Sequence, residues 1–184
     1  MKKGNWFGAL MLLVWAAWLN TLLLVAAGRV WPAGGAGLRF LPDATLVLLM
    51  ALAVRVPRPQ VWVVAGLLAL VRIAYSADAP LAIFAGYAWV AFALNGLRRG
   101  FDVSGPMPRT LLAFAAGLLV AVWNQGVHWL RQQSASAWID HDFWTLVRHS
   151  VPGAIVGALA VGLLGHALAA LPGLGTLYRR PKIG

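Results

Sequence analysis

Polar side chains in the fifth apolar segment of the sequence are the first candidates for chemistry. Asn124, Gln125 and His128 interrupt an otherwise apolar run, and Arg131 follows it. Asn124 and His128 are four residues apart, so they share one face of a helix. In a membrane, such groups must face other helices, a partner protein or a water-filled pocket. The pattern favours contacts between helices or with a partner protein, and a substrate pocket is the alternative.

Charged residues near the ends of other apolar segments form a second group of candidates. Arg72 lies near the end of the third segment, where its long side chain can reach the headgroups. Asp78, in the following turn, is its predicted ion-pair partner. Arg148 lies near the start of the sixth segment and is predicted to be interfacial. A charge at the bilayer centre costs at least about 2.5–3.5 kcal/mol, so charges placed deeper than these would be functional candidates by default.

Familiar catalytic patterns are absent from the sequence. The chain contains no glutamate and no cysteine, and it has no HExxH, P-loop or Gly-x-Ser-x-Gly motif. Its five aspartates do not cluster within the apolar segments, as a proton path or a metal site would require. We therefore predict no enzymatic activity, no cofactor and no metal site.

The elements that must position these residues are helices in a membrane. Of the 184 residues, 61% are hydrophobic and 11% are charged, whereas soluble domains average about 25% charged residues. One membrane-spanning helix needs about 20 apolar residues. We predict an all-α integral membrane protein, a compact bundle of about six transmembrane helices forming one domain over residues 1–184. The approximate spans are 6–27, 38–54, 60–75, 79–97, 110–130 and 145–171.

The first apolar segment begins like a secretory signal, with Lys2 and Lys3 before an apolar run. That run extends from Trp6 to Ala27, which is longer than the roughly 7–15 residues of a signal-peptide core. We therefore predict a retained first helix.

The positive charge of the chain, formally +10, is distributed unevenly along it. With the N-terminus in the cytoplasm, ten of the 15 Lys and Arg residues fall inside, and four of the five aspartates fall outside. This asymmetry follows the positive-inside rule and predicts that both termini are cytoplasmic. The charge is thus interpreted as an orientation signal that also attracts anionic membrane lipid, and nucleic-acid binding is not expected.

Several short motifs follow one another in a fixed order from residue 41 onward. Leu41-Pro42-Asp43 opens the second segment, a tight hairpin with Arg55 and Pro57 follows, and Ala65-Gly66-Leu67-Leu68 lies in the third segment. The later motifs are the turn Ser76-Ala77-Asp78-Ala79-Pro80-Leu81, the basic pair Arg98-Arg99 and Val151-Pro152-Gly153-Ala154. In this order they resemble the MreD family of bacterial rod-shape-determining proteins. Arg72, near a position that is often acidic in the family, and Ala82, where a glycine is expected, depart from the pattern.

The resemblance implies a non-enzymatic scaffold in the bacterial cytoplasmic membrane, with a fold similar to the substrate-binding subunits of energy-coupling-factor transporters. Its partner would be an MreC-like protein with one span and a periplasmic coiled coil. The pair would work with the MreB filament, the glycosyltransferase RodA and a class B penicillin-binding protein in lateral peptidoglycan synthesis and cell shape. Helix faces and the loops around Asp43, Asp78 and Asp140 would hold the partner.

Two other functions fit the same sequence. One is the membrane subunit of a vitamin or metal transporter, with an outward pocket lined by Asn124, His128 and the Arg72–Asp78 turn. The other is an accessory subunit of a larger membrane complex, such as a pigment or respiratory assembly, in which many tryptophans and few charges are common.

Overall fold

The computed structural model describes residues 4–30, 40–76, 78–100, 102, 105–132 and 143–178. Of positions 5, 125, 128–132, 143, 145 and 146 it describes the backbone alone. These residues form six α-helices, followed by a 3₁₀ helix at Leu174–Leu177. The α-helices are α1 (Gly4–Val30), α2 (Ala44–Ala53), α3 (Arg58–Ala74), α4 (Pro80–Gly100), α5 (Pro106–Gln132) and α6 (Phe143–Ala169).

Four of the six helices, namely α1, α4, α5 and α6, are long and apolar enough to cross a membrane. The predicted all-helical fold is confirmed, and four helices of this kind are consistent with the predicted membrane protein, whereas six membrane-spanning helices are not shown. Large apolar side chains are exposed along α1, including Trp6, Leu10, Val14 and Trp18 at intervals of four residues. Such a stripe is out of place in water and suited to lipid.

The short helix α2 lies at the centre of the bundle. It has 10 residues and is about 15 Å long, half of a hydrocarbon core of about 30 Å. Nine of its ten residues are buried, and it packs against α1, α3, α5 and α6. The predicted second span, 38–54, is therefore α-helical only from Ala44 to Ala53 within its described part. Asp43 caps the N-terminus of α2, so the helix begins at Ala44 and does not extend back to Pro42.

The turn between α2 and α3 is as tight as the sequence predicts. Helix α2 ends at Ala53, and Pro57 precedes the first residue of α3, Arg58. Pro59 lies in the first turn of α3, where a proline removes no helical hydrogen bond. With 17 residues, α3 is not among the four helices long and apolar enough to cross a membrane.

Small residues allow α5 and α6 to approach closely. A Cβ placed on Gly117 of α5 would lie 3.3 Å from the Cα of Ala154 in α6. Farther along the same seam, a Cβ on Gly162 would meet the Thr110 side chain. Gly157 faces Pro42 and Val47 at van der Waals distance, so α6 also packs on the start of α2. The glycines that the sequence concentrates in the sixth segment thus serve helix packing.

One end of the bundle is rich in arginine. Helix α1 begins there beside the 3₁₀ helix that follows α6, and Trp15 donates a hydrogen bond of 3.1 Å to the Pro172 carbonyl. The α2–α3 and α4–α5 turns lie at the same end. We call it the arginine-rich end, and its arginines in the described residues are Arg55, Arg58, Arg98, Arg99 and Arg109.

Arginine side chains tie the turns of this end together. Arg98 donates to the carbonyls of Val54 and Val56, at 3.3 and 2.9 Å, beyond the end of α2. Arg55 Nη2 lies 2.6 Å from Nδ1 of His166. Tyr178 donates a hydrogen bond of 2.8 Å to the Ala169 carbonyl, and burial raises the pKa of its hydroxyl to about 12 against the opposing effect of Arg55.

Candidate functional site

A cavity of about 610 Å³ lies at the end of the bundle opposite the arginine-rich end. Because α2 starts deep within the bundle, space is left between its N-terminus and this end of the bundle, and the cavity occupies that space. The ends of α3 and α5 and the start of α6 form its walls. Of the seven candidate residues that the sequence indicates, four line this one cavity: Asp43, Arg72, Asp78 and Asn124.

Asp43 organises the floor of the cavity. Its Oδ1 accepts hydrogen bonds from the backbone N–H groups of Thr45 and Leu46, at 3.0 and 3.2 Å, and thereby caps α2. The Thr45 hydroxyl donates to the same oxygen at 2.5 Å, and the Tyr87 hydroxyl donates to Oδ2 at 3.0 Å. The hydroxyl oxygens of Thr45 and Tyr87 also lie in contact with each other. A single carboxylate therefore joins α2 to α4.

Arg72 pairs with Asp43 and not with Asp78, so the predicted ion pair is wrong. Its Nε lies 3.3 Å from Oδ2 of Asp43, an ion pair without the alignment of a hydrogen bond. The side chains are 28% and 17% exposed, so the pair is partly shielded from solvent. Asp43 reaches Arg72 because the α2 cap holds its carboxylate inward.

Asp78 forms hydrogen bonds within a local turn. The Ser76 hydroxyl donates to Oδ2 of Asp78 at 2.5 Å, and the Asp78 backbone N–H donates to the Ser76 oxygen at 3.1 Å. Short polar side chains commonly bond to nearby backbone in this way. The turn fixes Asp78 at the cavity wall without bringing it to Arg72.

Two polar groups on the cavity wall lack hydrogen-bond partners among the described residues. The Nε of Arg72 is a buried donor, and the side-chain oxygen of Asn124 is a buried acceptor. Buried polar atoms are almost always hydrogen-bonded in folded proteins, and each exception calls for a reason. Arg72 belongs to α3 and Asn124 to α5, so a ligand that met both groups would have to offer an acceptor on one side and a donor on the other.

Apart from these groups and the polar residues His149 and Ser150, the lining is apolar and partly made of small residues. Leu46, Val47 and Met50 come from α2, and Gly117 and Ala154 from the seam between α5 and α6. Small residues in the seam keep the cavity wide, while α2 supplies an apolar surface. The cavity surface is therefore divided about evenly between polar and apolar groups, so a ligand or peptide segment that fills it must present both kinds.

The other three predicted residues do not join this cavity in the described part of the chain. The side chains of Gln125 and His128 lie outside the described residues. Arg148 is exposed on α6 and does not line the cavity, whereas its neighbours His149 and Ser150 do. A single step along the helix therefore separates a lining residue from one outside the cavity, which segment boundaries alone do not reveal.

Besides the lining residues His149 and Ser150, the two residues that hold Asp43 in place, Thr45 and Tyr87, are not predicted from the sequence. Both are buried, and both complete the hydrogen bonds of Asp43. Thr45 carries a usable signal, because an Asp two residues before a Thr at the start of an apolar run is typical of a capped helix. Tyr87 carries none, because its contact with Asp43 spans 44 positions of sequence.

Among the described residues, no group of three His, Asp or Glu side chains could hold a metal ion. No family model, curated protein or solved structure matches this chain.

Proposed function

We propose that this chain is a non-enzymatic scaffold of the MreD type in the bacterial cytoplasmic membrane, and that its cavity binds the juxtamembrane segment of an MreC-like protein. In this proposal, the pair helps the elongation machinery, including MreB, RodA and a class B penicillin-binding protein, to direct lateral peptidoglycan synthesis. The fold would be that of the substrate-binding subunits of energy-coupling-factor transporters. The motifs between Leu41 and Ala154 support this assignment.

The observation that carries the proposal is the pair of unsatisfied groups, Arg72 Nε and the Asn124 oxygen, beside an apolar wall. A polypeptide segment outside a helix presents carbonyl acceptors and N–H donors together. Its apolar side chains would cover Leu46, Val47 and Met50. A helical span satisfies its own backbone, so a segment just outside the partner's span suits this cavity better than the span itself.

The orientation needed for this contact agrees with the distribution of charge. Five arginines and one aspartate of the described residues belong to the arginine-rich end and its turns, namely Arg55, Arg58, Arg98, Arg99, Arg109 and Asp102. The positive-inside rule puts such an end in the cytoplasm, together with both termini. The cavity then opens to the periplasmic side, where the coiled coil of the partner begins.

Filling the cavity is expected to abolish partner binding. Ala121 lines the cavity on α5, and Ala115 is exposed on the same helix. In co-expression with a single-span coiled-coil protein encoded beside this chain, we expect Ala121→Leu to lose at least tenfold in co-purified partner, because the added side chain occupies the binding space. The matched variant Ala115→Leu should retain the partner. Co-purification that is equal for both variants, or absent from the parent chain, would overturn the proposal.

A small-molecule transporter subunit is the second candidate, and the cavity volume favours it. About 610 Å³ falls within the range of roughly 300–1,000 Å³ typical of ligand pockets. A ligand at 100 times its dissociation constant stabilises the folded protein by about 2.7 kcal/mol. A rise in unfolding temperature with one vitamin or metal ion, abolished by Ala121→Leu, would select this function over the scaffold.

A further inference from the structure

A second concave surface lies between α3 and α4 at the arginine-rich end. It is a groove of about 400 Å³, separate from the cavity at the other end of the bundle. Its lining includes Arg58 and Trp62 from α3, and Phe92, Asn95, Gly96 and Arg99 from α4. None of these residues takes part in the proposed partner contact.

The groove has a charged end and an apolar end. Arg58 is the first residue of α3 and Trp62 lies one turn deeper, while Arg99 is near the end of α4. Phe92 lies seven residues before Arg99, which is about 10 Å farther into the bundle along the helix. Trp62 and Phe92 are 45% and 62% exposed, so both present apolar surface to a ligand.

The arginines at the groove have no acidic partner within the described part of the chain. Arg58 donates one hydrogen bond, 2.9 Å long, to the Arg98 carbonyl. Arg99 forms no hydrogen bond or ion pair with any residue in the described part of the chain, and no acidic residue lines the groove. Two guanidinium groups at one rim attract an anion, and planar guanidinium groups suit phosphate oxygens especially well.

Asn95 adds a hydrogen-bonding group between the charged and apolar ends. Its side-chain oxygen is buried and has no partner among the described residues. Gly96, beside it, has no side chain, and a Cβ there would meet no atom within 4 Å. The groove is thus open at its middle, and a buried acceptor without a described partner lies beside this opening.

We propose that this groove binds one anionic phospholipid, with the phosphate between Arg58 and Arg99 and an acyl chain along Trp62 and Phe92. Basic pockets between membrane helices recognise lipid headgroups in this way. A glycerol hydroxyl of the headgroup donates to the Asn95 oxygen. The amphipathic order of the groove matches a lipid already present in the membrane, and this distinguishes it from a site for soluble phosphate.

The test uses the full-length chain in bilayers that contain equal amounts of phosphatidylglycerol and phosphatidylcholine. Lipid that remains bound after extraction is counted by native mass spectrometry. Each arginine near a membrane surface contributes about fivefold to binding of an anionic lipid, so Arg58→Gln with Arg99→Gln should reduce retained phosphatidylglycerol roughly 25-fold. Arg29→Gln, at an exposed arginine on α1, is the control for loss of a positive charge outside the groove and should change retention little.

The variant Gly96→Leu distinguishes lipid binding in the groove from general electrostatic attraction of anionic lipid to the arginines. It keeps both arginines and fills the groove, so the proposal expects loss of retained phosphatidylglycerol while the protein stays monodisperse. If Gly96→Leu retains the lipid, or if Arg29→Gln loses as much as the double variant, the groove is not the binding site. Displacement of the lipid by inorganic phosphate alone would also overturn the proposal.

Discussion

Replacing Asp43 by alanine is expected to lower the free energy of unfolding by about 3 kcal/mol or more. The change removes the cap of α2, which is worth about 0.5–2 kcal/mol. It also leaves Arg72 without its ion-pair partner, and breaking a buried ion pair on one side costs about 3–5 kcal/mol. The exposure of Arg72, 28%, puts the expected cost at the lower end of that range. The measurement is thermal unfolding in detergent, followed by tryptophan fluorescence.

Three variants separate the contributions of charge and cap. Asp43→Asn keeps a good capping side chain and removes the charge, so it should be less damaging than Asp43→Ala. Combining Asp43→Asn with Arg72→Gln removes the unpaired charge and should recover part of the stability. Asp78→Asn, in the local turn, should have a small effect by comparison. An Asp43→Ala protein as stable as the parent, or a double variant no better than Asp43→Asn, would refute the assigned role of Asp43.

Replacing Gly117 by leucine is the second large effect that we expect. The Cβ alone would lie 3.3 Å from the Cα of Ala154, a backbone atom that cannot rotate away. Overpacking of this kind typically costs about 1–3 kcal/mol. A leucine side chain would drive α5 from α6, so we expect a loss of at least about 2 kcal/mol, measured as a lower unfolding temperature.

The matched control for this prediction is Gly66→Leu. A Cβ at Gly66, in the middle of α3, would meet no described atom within 4 Å. Leucine favours helix over glycine by up to about 1 kcal/mol, so this variant should be neutral or more stable. Equal destabilisation by both changes would mean that the cost arises from glycine replacement in general and that the α5–α6 seam is not responsible.

Local patterns in the sequence were sufficient to predict the helices and most of the cavity's polar lining. Asn124 and Arg72 stand out because a polar group in an apolar run is costly wherever it lies. The hairpin at Pro57 is likewise local, because proline restricts its own backbone and that of its neighbour. Such signals depend on one residue or one turn, so the packing of distant helices does not alter them.

The pairing of these residues could not be predicted in the same way. Asp78 is nearer to Arg72 in sequence, but the cap of α2 directs Asp43 to Arg72 and the Ser76 turn holds Asp78. The depth at which α2 begins decides which carboxylate can reach Arg72. This depth results from the packing of α2 against α1, α3, α5 and α6. The role of Tyr87 depends on the same packing and has no local signal.

Site-specific cross-linking from the cavity tests the central proposal most directly. The chain has no cysteine, so a single cysteine at Ala121 or at Ala115 can carry a photoreactive label. In membranes that contain the co-expressed coiled-coil partner, the scaffold function predicts a cross-linked heterodimer from position 121 and little or none from position 115. A complex that co-purifies intact but cross-links from position 115 and not from position 121 would contradict it.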